Sequence, residues 1–286
     1  MQATRPWAHQ LCRVKLNLRR EASGPRLEEV TMSTTIEPAW ERLPNPESCE
    51  PYVKRFLLWT GIAAVILYVI GDLLAGLLYD GYSFRDQAIS ELSAFGSPVR
   101  PLMVTIILLH NLLLAAFGVG VLWSATQRSL RWAALSLIGI GVSGLPTHTV
   151  FAMSSRWMEG GLNDTMHQAM TAVFTIFVVV AIALSSIAHP GWFRRFSIGM
   201  LVVLTGFGAA SAVAIQGIEE NATAWAGGFE RINAYAYFAW LIALAVILLR
   251  EQTLQAKKND TGTPSLGHIE PLEGDGHGTR QAIPSR

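Results

Sequence analysis

The chain has 286 residues, of which 51% are hydrophobic and only 15% are charged, whereas soluble domains carry about 25% charged residues. The missing charge is concentrated, since no Asp or Glu occurs between Glu91 and Glu159. This composition excludes an ordinary soluble domain and favours helices that face lipid. We therefore expect membrane lipids as partners and no nucleic acid. The oligomeric state stays open.

Residues 1–55 form a polar N-terminal extension. Residues 1–31 carry six basic residues but no apolar core of a secretory signal. Met32 begins a more ordinary N-terminal sequence, so one interpretation is that residues 1–31 are not translated. The alternative is a basic arm that lies on anionic lipid.

Six apolar segments follow and predict an all-α, polytopic membrane protein, a bundle of six transmembrane helices within residues 56–250. Each segment is about 19 to 24 residues long, enough for a helix to cross a hydrocarbon core of about 30 Å. The alternating polarity of a membrane barrel strand is missing from runs such as 175–184. The predicted segments are 56–79, 101–124, 131–153, 167–187, 196–218 and 232–250.

The distribution of Lys and Arg predicts that both termini are cytoplasmic and that the protein lies in the cell membrane. With this orientation the inner flanks hold nine basic residues: Lys54, Arg55, Arg128, Arg131, Arg194, Arg195, Arg250, Lys257 and Lys258. The outer loops hold four: Arg85, Arg100, Arg156 and Arg231. The tail from 251 to 286 is rich in Gly, Pro and charge, so it is predicted to be disordered.

Glycines inside the apolar segments predict close helix packing. Residues 139–144 match the dinucleotide fingerprint G-x-G-x-x-G, but they lie inside an apolar segment instead of after a strand. Small residues there let helices approach closely. Gly118 with Gly120, and Gly206 with Gly208, are interpreted in the same way.

The polar stretch 83–93 follows the first apolar segment. Its apolar residues Ala88, Ile89 and Leu92 fit one face of a short helix at the membrane interface. Ser90 and Ser93 could simply hydrogen-bond the backbone. The functional alternative is a lid or an element that binds a lipid headgroup.

Few ionisable residues lie inside or at the edge of the segments, namely Asp72, His110, His148 and His167. Such residues usually face the bundle interior and often mark function. Each also has a structural interpretation: His110 as a neutral interhelical hydrogen-bonding group, Asp72 as a cap of a first helix that stops early, His148 at a frayed helix end, and His167 as an interfacial residue.

These four residues are the candidate catalytic groups, because all are expected in the outer half of the bundle, about 8 to 14 Å below its boundary or at its edge. Histidine is the expected partner of Asp72. The candidate substrate-binding residues above them are Ser90, Glu91, Asp164, Glu230 and Arg231. Imidazole with carboxylate is a ligand set that zinc accepts, so zinc is the candidate cofactor, although no H-x-x-x-H or H-E-x-x-H motif is present.

Five short motifs in order resemble the membrane proteins of the family called domain of unknown function 998. They are ISELSAFGSP at 89–98, His110-Asn111 followed by Gly118, GLPTHTVF at 144–151, Asp164-x-x-His167, and GFERI at 228–232. The resemblance covers about residues 55–250. It implies a six-helix prokaryotic membrane protein, and it implies no activity.

Three functions remain open at this point. The first is a membrane-embedded, metal-dependent or acid–base lipid hydrolase at the outer leaflet. The second is a transporter or lipid-binding protein that uses the same groups to hold substrate or protons, although no inverted repeat is evident. The third is a structural role, in which these groups only join helices together.

Overall fold

The computed structural model describes residues 46–154, 161–215 and 224–260. All regular structure in this part of the chain is helical, which confirms the all-α prediction. The helices are α1 (Pro46–Leu78), α2 (Ile89–Leu92), α3 (Arg100–Ser124), α4 (Arg128–Thr149), α5 (Leu162–Ala188), α6 (Trp192–Ile215) and α7 (Ala226–Asp260). Most of the predicted N-terminal extension and of the predicted tail lies outside the described residues.

Six long helices coincide with the six apolar segments, and five of them are long and apolar enough to cross a membrane: α1, α3, α5, α6 and α7. This is the architecture of a multi-pass membrane protein. Helix α4 lies outside that set. Its sequence includes Ser136, Ser143 and Thr147, whose hydroxyls donate to carbonyl oxygens within the same helix. These side chains lower the apolar character of α4 while leaving their own polar groups satisfied.

Two segment boundaries differ from the prediction. Helix α1 begins at Pro46, ten residues before the predicted segment, and α7 continues to Asp260, ten residues beyond it. Residues 251–260 are therefore helical and not a disordered tail. Gln252 donates to the Ser124 hydroxyl at 3.2 Å, and Glu251 lies 3.5 Å from His189. The hydrogen bond to Glu251 raises the pKa of His189, while its partial burial opposes the rise.

The long helices form a ring in which each contacts the next. Its order is α1, α3, α4, α5, α6, α7 and back to α1. The short helix α2 contacts α1 and α7 and belongs to the long connection of residues 79–99. We call the end of the bundle that carries this connection the long-loop end. The starts of α3, α5 and α7 lie at this end together with the ends of α1, α4 and α6.

The apolar core fills the centre of the ring. Leu114 and Phe117 of α3, Ile140 of α4, Ile182 of α5 and Trp240 of α7 are fully buried within one cluster. The indole nitrogen of Trp240 donates to the Ser197 hydroxyl at 3.2 Å, which satisfies its polar group inside the bundle.

The glycines of α4 allow a close contact with α3, as predicted. A Cβ atom added at Gly141 would lie 2.7 Å from the backbone oxygen of Asn111, and one at Gly144 would lie 2.4 Å from Asn111 Oδ1. The fingerprint-like sequence is thus a packing surface. The same interpretation is wrong for Gly206, where an added Cβ would meet no atom within 4 Å.

We expect Gly141→Ala to destabilise the protein by about 1–3 kcal/mol, because a backbone oxygen cannot yield to the added methyl group. The matched control is Gly199→Ala on α6, where an added Cβ meets nothing within 4 Å. Thermal unfolding of both purified variants in one detergent measures the difference. Equal midpoints for the two variants would contradict the packing role of Gly141.

Candidate functional site

A buried ion pair joins α1 to α7 at the long-loop end. The Asp72 side chain is fully buried. Arg231 Nη2 donates to Asp72 Oδ1 at 2.7 Å and Arg231 Nε donates to Asp72 Oδ2 at 3.0 Å. The Tyr235 hydroxyl donates to the same Oδ2 at 2.6 Å. This bidentate arrangement is the strongest form of an arginine–carboxylate contact.

The expectation that Asp72 pairs with a histidine is therefore wrong. Its partner is Arg231, which the sequence places just before the sixth apolar segment and among the groups above the site. Helix α7 begins at Ala226, five residues before Arg231, so this arginine lies inside the helix. Arg231 is only 9% exposed. The interpretation of Asp72 as a helix cap is also wrong, since α1 continues to Leu78.

Arg231 also holds the connection between α1 and α3. Its Nη1 donates to the carbonyl oxygens of Phe84 at 2.8 Å and Gln87 at 3.1 Å. Its Nη2 donates to the Tyr82 hydroxyl at 2.8 Å, and that hydroxyl lies 2.8 Å from the Ala88 carbonyl oxygen. Burial raises the pKa of Tyr82 well above its usual value, so the phenol stays neutral. The guanidinium thus fixes the loop backbone to α7.

A second set of contacts joins the same loop to the start of α7. Asp86 Oδ1 accepts from the backbone N–H of Trp225 at 3.1 Å, and the N–H of Gly228 donates to the Arg85 carbonyl oxygen at 2.8 Å. The hydrogen bond from Arg85 lowers the pKa of Asp86 to about 2. Asp86 is therefore a carboxylate at neutral pH and a constant acceptor for the backbone of α7.

Two of the predicted substrate-binding acids, Glu91 and Glu230, hold the start of α2. Glu91 Oε1 accepts from the backbone N–H of Ala88 at 2.9 Å, as in a capping box. Glu230 Oε2 accepts from the N–H of Ile89 at 2.6 Å. The first free N–H groups of a helix need such acceptors, so both acids position this short helix.

Ser93, directly after α2, brings the loop to α4. The Ser93 Oγ atom lies 2.9 Å from His148 Nδ1. It also donates to the Ser90 carbonyl oxygen at 3.0 Å. Nδ1 of His148 donates to this Oγ in one tautomer of the ring and accepts from it in the other. Arg100 donates to the Ser93 carbonyl oxygen through Nη1 and to that of Thr149 through Nη2 at 3.3 Å. A serine and an imidazole at this distance form the contact on which nucleophilic catalysis depends.

His167 lies beside His148, with the ring centroids 5.3 Å apart and the rings nearly perpendicular. His167 Nδ1 lies 3.0 Å from the carbonyl oxygens of both Thr147 and Phe151. A carbonyl only accepts, so in the neutral ring Nδ1 carries the hydrogen and Nε2 is the acceptor nitrogen. Asp164 accepts from the N–H of Ser154 at 2.6 Å and so joins the start of α5 to the segment after α4.

His110 occupies a third position, between α1, α3 and α7. Its Nδ1 lies 2.9 Å from the Ala64 carbonyl oxygen, and its ring makes edge contacts with Tyr68 and Phe238. These contacts agree with the interpretation of His110 as a hydrogen-bonding group between helices.

The contacts divide the four candidate catalytic residues into separate groups. Asp72 belongs to the arginine cluster, His148 and His167 share a cluster with Ser93, and His110 contacts Ala64. Within the described ranges, no three His, Cys, Asp or Glu side chains are placed so that they could hold a metal ion. The candidate site that the contacts define is thus Ser93, His148 and His167, with Arg100 beside them.

Sequence reasoning did not assign Ser93 to the site and did not identify Tyr235 as a partner of Asp72. Ser93 carried a weak signal, because it lies in the polar stretch after the first apolar segment. Its partner His148 is 55 positions away, and sequence spacing cannot indicate such a contact. Tyr235 is four positions after Arg231 on one helix face, which could have indicated a shared acceptor.

We expect Asp72→Asn to destabilise the protein by about 3–5 kcal/mol, because it leaves the buried guanidinium without its counter-charge. The double variant Asp72→Leu with Arg231→Met removes both charges and should recover part of that loss. The control is Glu50→Gln, which breaks the exposed pair with Lys54 and should have little effect. Unfolding of the detergent-purified proteins measures all three. A double variant less stable than Asp72→Asn would contradict the argument.

Comparison with known proteins identifies the family of the chain. The model of the family described as "Protein of unknown function (DUF998)" matches residues 62–247, well over half of the chain. This match confirms the resemblance that the sequence motifs indicated. No curated protein and no solved structure matches the chain. The chain therefore belongs to the DUF998 family, whose function the family description leaves open.

Proposed function

We propose that this protein is a lipid hydrolase in which Ser93 is the nucleophile and His148 is the general base. The observation that carries the proposal is the 2.9 Å distance between Ser93 Oγ and His148 Nδ1. Catalytic nucleophile–base pairs lie about 2.6–3.2 Å apart. Both groups lie at the long-loop end of a bundle with five helices apolar enough to cross a membrane, so an accessible substrate is a lipid whose ester or amide lies near the membrane surface.

The proposed reaction uses the residues as follows. When the Ser93 hydroxyl turns from the Ser90 carbonyl to His148, Nδ1 takes its proton and Oγ attacks the acyl carbon. The leaving alcohol or amine takes that proton from His148, and an acyl-serine remains. Water then attacks the acyl-serine, again with His148 as base, and releases the fatty acid and the free serine.

His167 and Arg100 position this pair. The two carbonyls at His167 Nδ1 orient its ring against His148, and Arg100 fixes the Ser93 backbone and the end of α4 together. Ser93 is only 1% exposed. The proposal therefore requires the segment after Ser93 to move when a lipid reaches the hydroxyl.

A fluorophosphonate probe, which labels activated serines, tests the proposal on the purified full-length protein. We expect labelling and the hydrolysis of 4-nitrophenyl esters, with Ser93→Ala abolishing both and His148→Gln slowing hydrolysis by about 10²–10⁴-fold. Ser136→Ala is the matched control, because this serine lies on α4 and donates only to its own helix.

Retained labelling in Ser93→Ala, or no labelling of the wild type with an intact fold, would contradict the hydrolase. In that case the transport or binding alternative, in which the same imidazoles hold a substrate without cleaving it, would be the better explanation.

We further propose that α4 is a sixth span and that both termini face the cytoplasm of a cell membrane. Helix α4 has 22 residues, which gives a length of about 33 Å. It packs between α3 and α5, two of the apolar spans. The nine-to-four distribution of basic residues supports the orientation. The long-loop end is then the outer end.

A cysteine placed at Ser265 tests this topology in intact cells. We expect an impermeant maleimide to label it only after lysis, because the tail is inside. The control is a cysteine at Asp80 in the connection between α1 and α3, which should react without lysis. Labelling of position 265 in intact cells would overturn the proposed orientation. If the chain had five spans instead of six, its N-terminus and C-terminus would lie on opposite sides of the membrane.

A further inference from the structure

Two polar atoms on one face of α7 are buried without a hydrogen-bond partner. They are Asn233 Oδ1 and the Tyr237 hydroxyl oxygen. In the described part of the chain, these are the two buried side-chain polar atoms without a hydrogen-bond partner. The two residues are four positions apart, so their side chains lie on the same helix face. Tyr237 is only 3% exposed. An unpaired buried polar group costs free energy, which indicates that something else satisfies this pair.

The pair faces the place where α5 and α6 meet α7. A Cβ atom added at Gly208 of α6 would lie 3.3 Å from Asn233 Nδ2. The ring of Phe174, on α5, makes an edge contact with the ring of Tyr237 at 6.3 Å between centroids. The unpartnered atoms therefore lie between two different helices.

Helices α5 and α6 cover this place with few fully buried side chains. Between His167 and Val178 no side chain of α5 is buried, and between Ser197 and Ser211 no residue of α6 is buried. In α6 an added Cβ at Gly206 would meet nothing within 4 Å. In these stretches Phe174, Phe177, Leu201 and Leu204 pack against the core and are only partly buried. A lipid-soluble molecule can therefore reach α7 by inserting between α5 and α6.

The chemistry of the pair selects the ligand. The Tyr237 hydroxyl can donate, and Asn233 Oδ1 can only accept. One hydroxyl group satisfies both, since it accepts from Tyr237 and donates to Asn233. The ring neighbours of Tyr237 are Phe174, Phe238 and Trp240. A charged headgroup would lose its hydration in these apolar surroundings without gaining a counter-charge.

We propose that an uncharged amphiphile, such as a long-chain alcohol or a glyceride with one free hydroxyl, inserts between α5 and α6 and binds α7 through its hydroxyl. Asn233 and Tyr237 hold the hydroxyl, and the apolar chain lies between α5 and α6 beside partly buried apolar side chains, which include Phe177 and Leu204. This inference does not rest on the hydrolase proposal, because it uses none of Ser93, His148 or His167.

Thermal unfolding of the full-length protein in one detergent, with increasing mole fractions of oleyl alcohol, tests the site. We expect a saturable rise of the unfolding midpoint. Oleyl methyl ether should act more weakly, because it cannot donate to Asn233. Tyr237→Phe and Asn233→Leu should each raise the half-saturating mole fraction about 5- to 10-fold, the effect of one lost hydrogen bond.

The matched control is Tyr79→Phe, which removes a tyrosine hydroxyl at the end of α1 and should leave the response unchanged. Equal responses to alcohol and ether, or a wild-type response in both Tyr237→Phe and Asn233→Leu, would overturn the proposal. One further pair of results would also overturn it. Without alcohol, Tyr237→Phe would unfold at a higher midpoint than the wild type, and the wild type would show no saturable response to alcohol. A bound water would then explain the two polar atoms.

Discussion

The ion pair between Asp72 and Arg231 is the contact on which the long-loop end depends. Burying either charge alone in an apolar bundle is costly, so each requires the other and a full set of hydrogen bonds. Asp72 obtains these from Arg231 and Tyr235. Arg231 obtains them from Asp72, Tyr82 and the carbonyl oxygens of Phe84 and Gln87. One charge on α1 thereby fixes the position of α7 and of the loop between α1 and α3.

The position of the candidate site follows from this fixed loop. Glu230, next to Arg231, holds the N-terminus of α2 through Ile89, and Ser93 directly follows that helix. Its hydroxyl therefore reaches His148 at the end of α4, 55 positions later in the chain. Glu230 and Arg231, which are predicted substrate-binding groups, contact the loop that places this serine beside the imidazole.

Packing differs around the ring of helices. Helices α1, α3 and α4 approach closely, with Gly141 and Gly144 against Asn111. Helix α6 has only Phe193, Ser197 and Ser211 buried among its described side chains. In lipid an exposed apolar face costs little, so a loosely packed helix pair is tolerated where it would not be in water. The unpartnered atoms of Asn233 and Tyr237 lie at this looser side of the bundle.

The sequence by itself determined the helical class, the approximate positions of the six long helices, a short helix within residues 83–93 and the family, because apolar length and local motifs need no tertiary information. It misplaced the end of α7, since polar residues after Arg250 gave no sign that Gln252 and Glu251 have partners. Only the tertiary structure decided that Asp72 pairs with Arg231 and that Ser93 reaches His148. Such contacts depend on the rotation of each helix about its axis and on its neighbours, and an apolar segment in lipid carries little information about either.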